Sequence, residues 1–162
     1  MNTEPFMGQV FCAPISLMGG NMSLKPDIIR ESFEKAKPIA EQVVSSFYDN
    51  LFADYPQAKG LFQDVDNKKQ IGKLIGSLVF IVDNLENSEK LVSYLENLGS
   101  RHIYYDVEDE HYDWVGASLL KTFKQYLKDD WTKEVEEQWT IAYGVIATTM
   151  KDGARKTKNK VA

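Results

Sequence analysis

From Ser23 onward apolar residues recur every three or four positions, and no segment alternates with the period of two that marks a half-buried strand. Ser23 is placed to cap a first helix with Leu24, Ile28, Ile29 and Phe33 on one face. Pro38 opens a second, whose stripe is Ile39, Val43, Val44, Phe47, Tyr48, Leu51 and Phe52; Tyr55-Pro56 ends it. A polar stretch after Phe62 leads to a third helix over 66–84, with Ile71, Leu74, Ile75, Leu78, Val79 and Val82. Ser88 can cap the next, which carries Leu91, Leu95 and Leu98, and Gly99 closes its regular part. A further helix spans 110–128 with Val115, Leu119, Phe123 and Leu127. Thr132 caps the last, where Trp139, Tyr143, Ile146 and Met150 make one buried stripe and Gly153 reads as a stop. The pattern predicts a single all-α domain of six or seven helices.

Composition adds limits. Apolar residues make up 43% of the 162 and charged residues 27%, ordinary for a globular protein with a sizeable core. The net charge of −5 is uneven: 151–162 hold five basic residues and one acid, which leaves −9 on residues 1–150. An acidic body argues against nucleic acid as a partner. The basic tail, 151–162, reads as a solvated, frayed end. Residues 1–22 are apolar and Gly-rich without helix caps, so a flexible N-terminal extension is expected ahead of a folded domain over 23–150. Met22 immediately precedes the first helix signal, so both Met1 and Met22 are possible starts. No basic secretory start and no membrane-length apolar run is visible, and the lone Cys12 suits a reducing compartment; a cytoplasmic location is expected.

The chemistry of common enzyme motifs is missing. There is no glycine-rich phosphate loop and no nucleophile elbow, and two histidines nine residues apart match no zinc motif. Any chemistry would then come from a bound cofactor. "LENLGSRHIYYDVEDEHYDWVG" holds both histidines, His102 and His111. His102 lies just past the helix that ends at Leu98-Gly99, and two readings are open. It is a structural side chain, or its ring donates one proton to the Leu98 carbonyl four residues back and presents the other nitrogen as a neutral ligand. His111 reads as a partly exposed residue at a helix start, without a ligand role.

At these residues the chain resembles the globin family, in particular single-domain bacterial globins and the haem domain of flavohemoglobins, over about residues 23–150. "LGSRHIYYDVEDEHYDWVGASLL" is similar to the family's proximal-histidine region running into helix G, "SSFYDNLF" to its helix B, "KGLF" to its C helix and "WTIAYGVI" to its helix H. Tyr48 and Phe62 are fourteen apart, and Gln70 precedes His102 by thirty-two, spacings that agree with the family. A second register would put Asn67 in place of Gln70.

The resemblance implies the globin fold, a three-on-three helical sandwich around haem b. It implies His102 as the proximal iron ligand, Phe62 packed on the porphyrin, and Tyr48 and Gln70 lining the distal pocket with Leu74 against the bound gas. Val107 and Val115 are implied on the proximal side. Each distal residue also has a plainer reading: Tyr48 as a core aromatic, Gln70 as a solvated side chain, Phe62 and Leu74 as core with or without haem. O2, CO and NO are the implied ligands, held tightly, and NO dioxygenation to nitrate the implied reaction, with a separate NAD(P)H-dependent reductase. Gas storage or delivery, or gas sensing, are the alternatives. Tyr112 matches a family tyrosine beside the proximal histidine. The glutamate that accompanies it in flavohemoglobins falls on Ala154, with Asp152 the nearest acid, so a weakened proximal push is expected.

Overall fold

The structure is a computed structural model that describes residues 23–161. The expected N-terminal extension therefore lies outside the described residues. Six α-helices occur among them: α1 (Pro26–Ala36), α2 (Ala40–Asp54), α3 (Asn67–Asp83), α4 (Ser88–His102), α5 (Asp109–Leu127) and α6 (Lys133–Val161). Short 3-10 turns over Lys37–Ile39, Pro56–Phe62, Ile103–Tyr105 and Lys128–Asp130 join several of them. No strand occurs among the described residues.

Local chemistry explains most of the boundaries. Asp66 accepts from the Lys69 amide at 3.0 Å and starts α3, and Thr132 accepts from the Val135 amide at 3.2 Å at the start of α6. Asn87, not Ser88, caps α4 through the Lys90 amide. Ser23 does not cap α1. Pro26 takes the first helical position, where a fixed φ and a missing N–H cost nothing. The chain before it is held by Gln138 of α6, which accepts from the Lys25 amide at 2.6 Å and donates to the Ser23 carbonyl at 3.3 Å. Ile39, expected on the buried stripe of the second helix, is 41% exposed in the turn before α2.

Two expected helix ends are absent. α4 runs through Gly99 to His102, and α6 runs through Gly153 to Val161. Both glycines serve a helix crossing instead of a stop. A Cβ on Gly99 would lie 1.9 Å from the Met150 carbonyl oxygen, and one on Gly153 would lie 2.1 Å from that of Glu96. The crossing is laced by Ser100, whose hydroxyl donates to the Gly153 carbonyl and lies 2.6 Å from that of Thr157, and by a Lys156–Glu96 ion pair. The expected frayed tail is thus helical, with Arg155, Lys156, Lys158 and Lys160 exposed along it.

The core has two parts. The larger joins α1, α2, α3, α5 and α6 through Ile29, Phe33, Phe47, Leu51, Leu78, Phe123 and Trp139. The smaller sits under α4, where Leu91 and Leu95 meet Ile81, Tyr112, Ala147 and Met150. Tyr143 packs against both.

Candidate functional site

One wall of the site is built by α2, the turn after it, and α3. Tyr48 lies on α2, half-buried, with its ring edge-on to Phe47 at 4.9 Å and to Phe62 at 5.4 Å. Phe62 also meets Phe52, at 5.7 Å. The turn that carries Phe62 is tied to α5 by Tyr55, stacked on Trp114 at 5.3 Å. From α3 the Gln70 amide donates to the Tyr48 hydroxyl oxygen at 3.1 Å. That bond occupies the oxygen and leaves the hydroxyl proton without an acceptor among the described residues. Burial raises the Tyr48 pKa, opposed by the Gln70 bond, so the proton stays on. Leu74, one turn after Gln70, is half-buried against the larger core. Asn67 is the exposed first residue of α3, three positions before Gln70, and makes no bond to Tyr48.

The other wall is built by α4, the Ile103–Tyr105 turn and α5. His102 is the last residue of α4. Its Nδ1 lies 2.7 Å from the Leu98 carbonyl oxygen. A carbonyl can only accept, so Nδ1 carries the proton and Nε2 carries the lone pair. Burial is the main force that lowers the His102 pKa; the Leu98 bond raises it and the Arg101 charge lowers it further. The ring is flanked by Tyr105 at 5.6 Å and Tyr112 at 6.5 Å. Tyr112 is 7% exposed, and its pKa is pushed up to about 12 by burial first and the Asp109 charge second. The Tyr143 hydroxyl donates to the Tyr112 carbonyl at 2.6 Å. Val107 packs with the smaller core and Val115 with the larger.

So the structure brings Tyr48, Phe62 and Gln70 together, and His102 with Tyr112. Among the described residues no hydrogen bond or ring contact joins the two groups. A model of the globin family matches residues 45–150. The chain belongs to the globin family. It shows the family's all-α fold, the three-on-three helical sandwich. Over 112 residues this globin is 37% identical to a flavohemoprotein of Xylella fastidiosa, a match covering 68% of this chain and 28% of that protein. The chain thus spans about a third or less of the length of such relatives. A leghemoglobin of Psophocarpus tetragonolobus is 31% identical, with 83% of this chain and 98% of that one covered. Among solved structures, a bacterial globin from Campylobacter jejuni superposes with a TM-score of 0.70 at 29% identity, covering 83% of this chain and 96% of that one.

Membership implies haem, and the residues present fit it. His102 offers a neutral, lone-pair-bearing Nε2 with its tautomer already set by Leu98, the donor a haem iron takes. Phe62, Leu74, Val107 and Val115 are large apolar side chains left half-buried, as the walls of a slot for a flat apolar group would be. His111 makes no ligand-like arrangement: its Nδ1 accepts from the Glu108 amide at 2.9 Å and completes a cap at the start of α5.

Sequence reasoning missed three participants. Tyr105 lies against the His102 ring, Tyr143 holds the backbone of Tyr112, and the Lys151 ammonium sits 5.6 Å over the Tyr112 ring. Asp152, the nearest acid to Ala154, is paired with Arg155 at 2.7 Å. None of these carries a motif; Tyr105 depends on the turn that follows α4, and Tyr143 and Lys151 on where α6 crosses α5.

Proposed function

We propose that this globin would hold haem b through His102 and bind O2, CO and NO beside Tyr48 and Gln70, with NO dioxygenation as its activity. Haem, when bound, supplies an iron with one open coordination position for a diatomic gas. The chain's residues decide how long the gas stays. Tyr48 keeps a free hydroxyl proton to give to a ligand carrying partial negative charge, and the bond it accepts from Gln70 polarises that proton further. Gln70 has a second amide proton for the same purpose. Such bonds to a charged acceptor contribute about 1.5–3 kcal/mol each, and a combined gain of about 3 kcal/mol slows O2 release roughly a hundredfold. Leu74, one turn along α3, limits the space available to anything larger.

The Gln70–Tyr48 bond is the observation that carries this reading, because tight retention suits a gas kept for reaction better than one to be delivered. The overall reaction joins NO and O2 with one electron to give nitrate. We propose that the electron comes from NAD(P)H through a reductase outside these 162 residues, and that the protein works in the cytoplasm. No helix among the described residues is long and apolar enough to cross a membrane. Gas binding without turnover is the second reading, favoured by the Asp152–Arg155 pair, which ties up the acid nearest Ala154.

Optical spectra of the wild type and His102→Ala, followed by NO added to the O2 complex, test the proposal. The expected result is a Soret band lost or shifted in the variant, and rapid stoichiometric conversion to ferric haem and nitrate in the wild type. A wild type that takes up no haem overturns the site. A stable O2 complex inert to NO moves the function to storage or sensing.

A further inference from the structure

Lys151 is a half-buried lysine with no carboxylate partner. Its neighbours on α6 are paired, Asp152 with Arg155 and Lys156 with Glu96, and among the described residues its ammonium makes no hydrogen bond or ion pair and sits over the Tyr112 ring. Its backbone cannot drift, because it lies between Met150 and Gly153, the two residues jammed against Gly99 and Glu96 of α4. The ammonium is 5.6 Å from the centre of the Tyr112 ring, and that ring is 6.5 Å from the His102 imidazole. A positive charge therefore sits within about 12 Å of the proposed iron ligand. Asp109, exposed at the start of α5 and so better screened by solvent, opposes that charge at Tyr112, and Arg101, the exposed residue next to His102, is a second cation that acts on the imidazole.

We propose that Lys151 is a positioning residue of the proximal side that sets the haem redox balance: its ammonium, seated over Tyr112, withdraws electron density from His102 and favours ferrous over ferric haem. The inference rests on His102 as the haem ligand. Its physical basis is that oxidation adds a positive charge next to one already held in a partly desolvated site. A cation at this place also opposes any partial imidazolate character in His102. The consequence for this globin is a reduced state that is easier to reach with a weak electron donor, bought at the expense of O–O bond cleavage, which a strongly donating ligand promotes.

The test compares haem-loaded wild type with Lys151→Met, Lys151→Glu and, as a charge control far along the same helix, the exposed Lys160→Glu. The readouts are the ferric/ferrous midpoint by spectroelectrochemical titration and the iron–histidine stretch of the ferrous protein by resonance Raman. The midpoint is expected to fall in Lys151→Met and further in Lys151→Glu. At fixed potential the ferric-to-ferrous ratio should rise roughly threefold to tenfold in Lys151→Met, the size of one charge at about 12 Å in a partly solvated medium, and by roughly tenfold to a hundredfold in Lys151→Glu, where the charge changes by two. The stretch should move up in the same order, while Lys160→Glu moves neither by a comparable amount. Unchanged midpoint and stretch in Lys151→Glu, with the Soret band intact, overturn the proposal while leaving haem binding standing. An equal shift in Lys160→Glu overturns it too, by reducing it to net charge. A wild type without haem overturns both this inference and the site beneath it.

Discussion

Replacing Tyr48 by phenylalanine keeps the ring contacts with Phe47, Phe52 and Phe62 and deletes only the donor. In Tyr48→Phe, O2 dissociation measured by stopped flow should speed up by roughly ten- to a hundredfold, the loss of one bond of about 1.5–3 kcal/mol. CO dissociation, which depends less on a donor, should change far less; an unaltered O2 rate would remove Tyr48 from the distal wall. Tyr112 makes a different prediction. Its ordinary pKa of 10.0 rises to about 12 in the folded protein, through burial and then Asp109. Between those values the folded protein keeps a proton that the unfolded chain has lost. The stability this contributes is complete below pH 10, declines by up to about 1.4 kcal/mol per pH unit through the window, and is gone above about 12. Denaturant midpoints across this range should therefore fall less steeply in Tyr112→Phe than in the wild type; equal slopes would mean the shift is not real. His102 with Leu98, and Tyr48 with Gln70, were legible in the sequence because one rests on local helix geometry and the other on a family spacing. The contact of Lys151 was not. A lysine in a basic run reads as solvated, and only the tertiary contact with Tyr112 sets Lys151 apart.

At the scale of elements, the periodicity found every helix among the described residues but shifted some starts by a residue or two and misplaced two C-terminal ends, and those two have one cause. Glycine after an apolar stripe is the usual mark of a helix end, yet Gly99 and Gly153 are there so that α4 and α6 can touch backbone to backbone. No single-chain pattern separates these two uses; the partner helix does. The distinction predicts opposite outcomes for one substitution. Gly153→Ala must push α6 off the Glu96 carbonyl and should cost about 1–3 kcal/mol, seen as a lower Tm. Gly76→Ala, on the exposed side of α3 with nothing within 4 Å of the added carbon, should raise stability by about 0.5–1 kcal/mol. A Gly153→Ala protein as stable as the wild type would mean that the crossing can open freely, and that α6 past Met150 contributes little to holding α4.

Across the whole molecule the two cores are unequal, and the inequality bears on what haem does to the fold. The larger core ties α1, α2 and α5 to α6 through fully buried Ile29, Phe47, Leu51 and Phe123 packed with Trp139. α4 rests on Leu91 and Leu95, the smaller cluster and the glycine crossing, and it ends at His102, the proposed haem ligand. The two parts should then respond differently when haem arrives. A ligand that binds only the native state stabilises it by mass action, and regions already at the global stability gain nothing locally beyond that. Hydrogen exchange of the apo and haem-loaded protein should show α4 and the Ile103–Tyr105 turn opening by local fluctuation in the apo form, with protection there rising by one to several orders of magnitude on loading. Amides in the middle of α2 and α5 should slow only as far as overall stability increases. Equal protection of α4 in both forms would mean that the proximal wall is already set by the protein alone. The crossing at Gly99 and Gly153, not the prosthetic group, would then be what holds His102 in place.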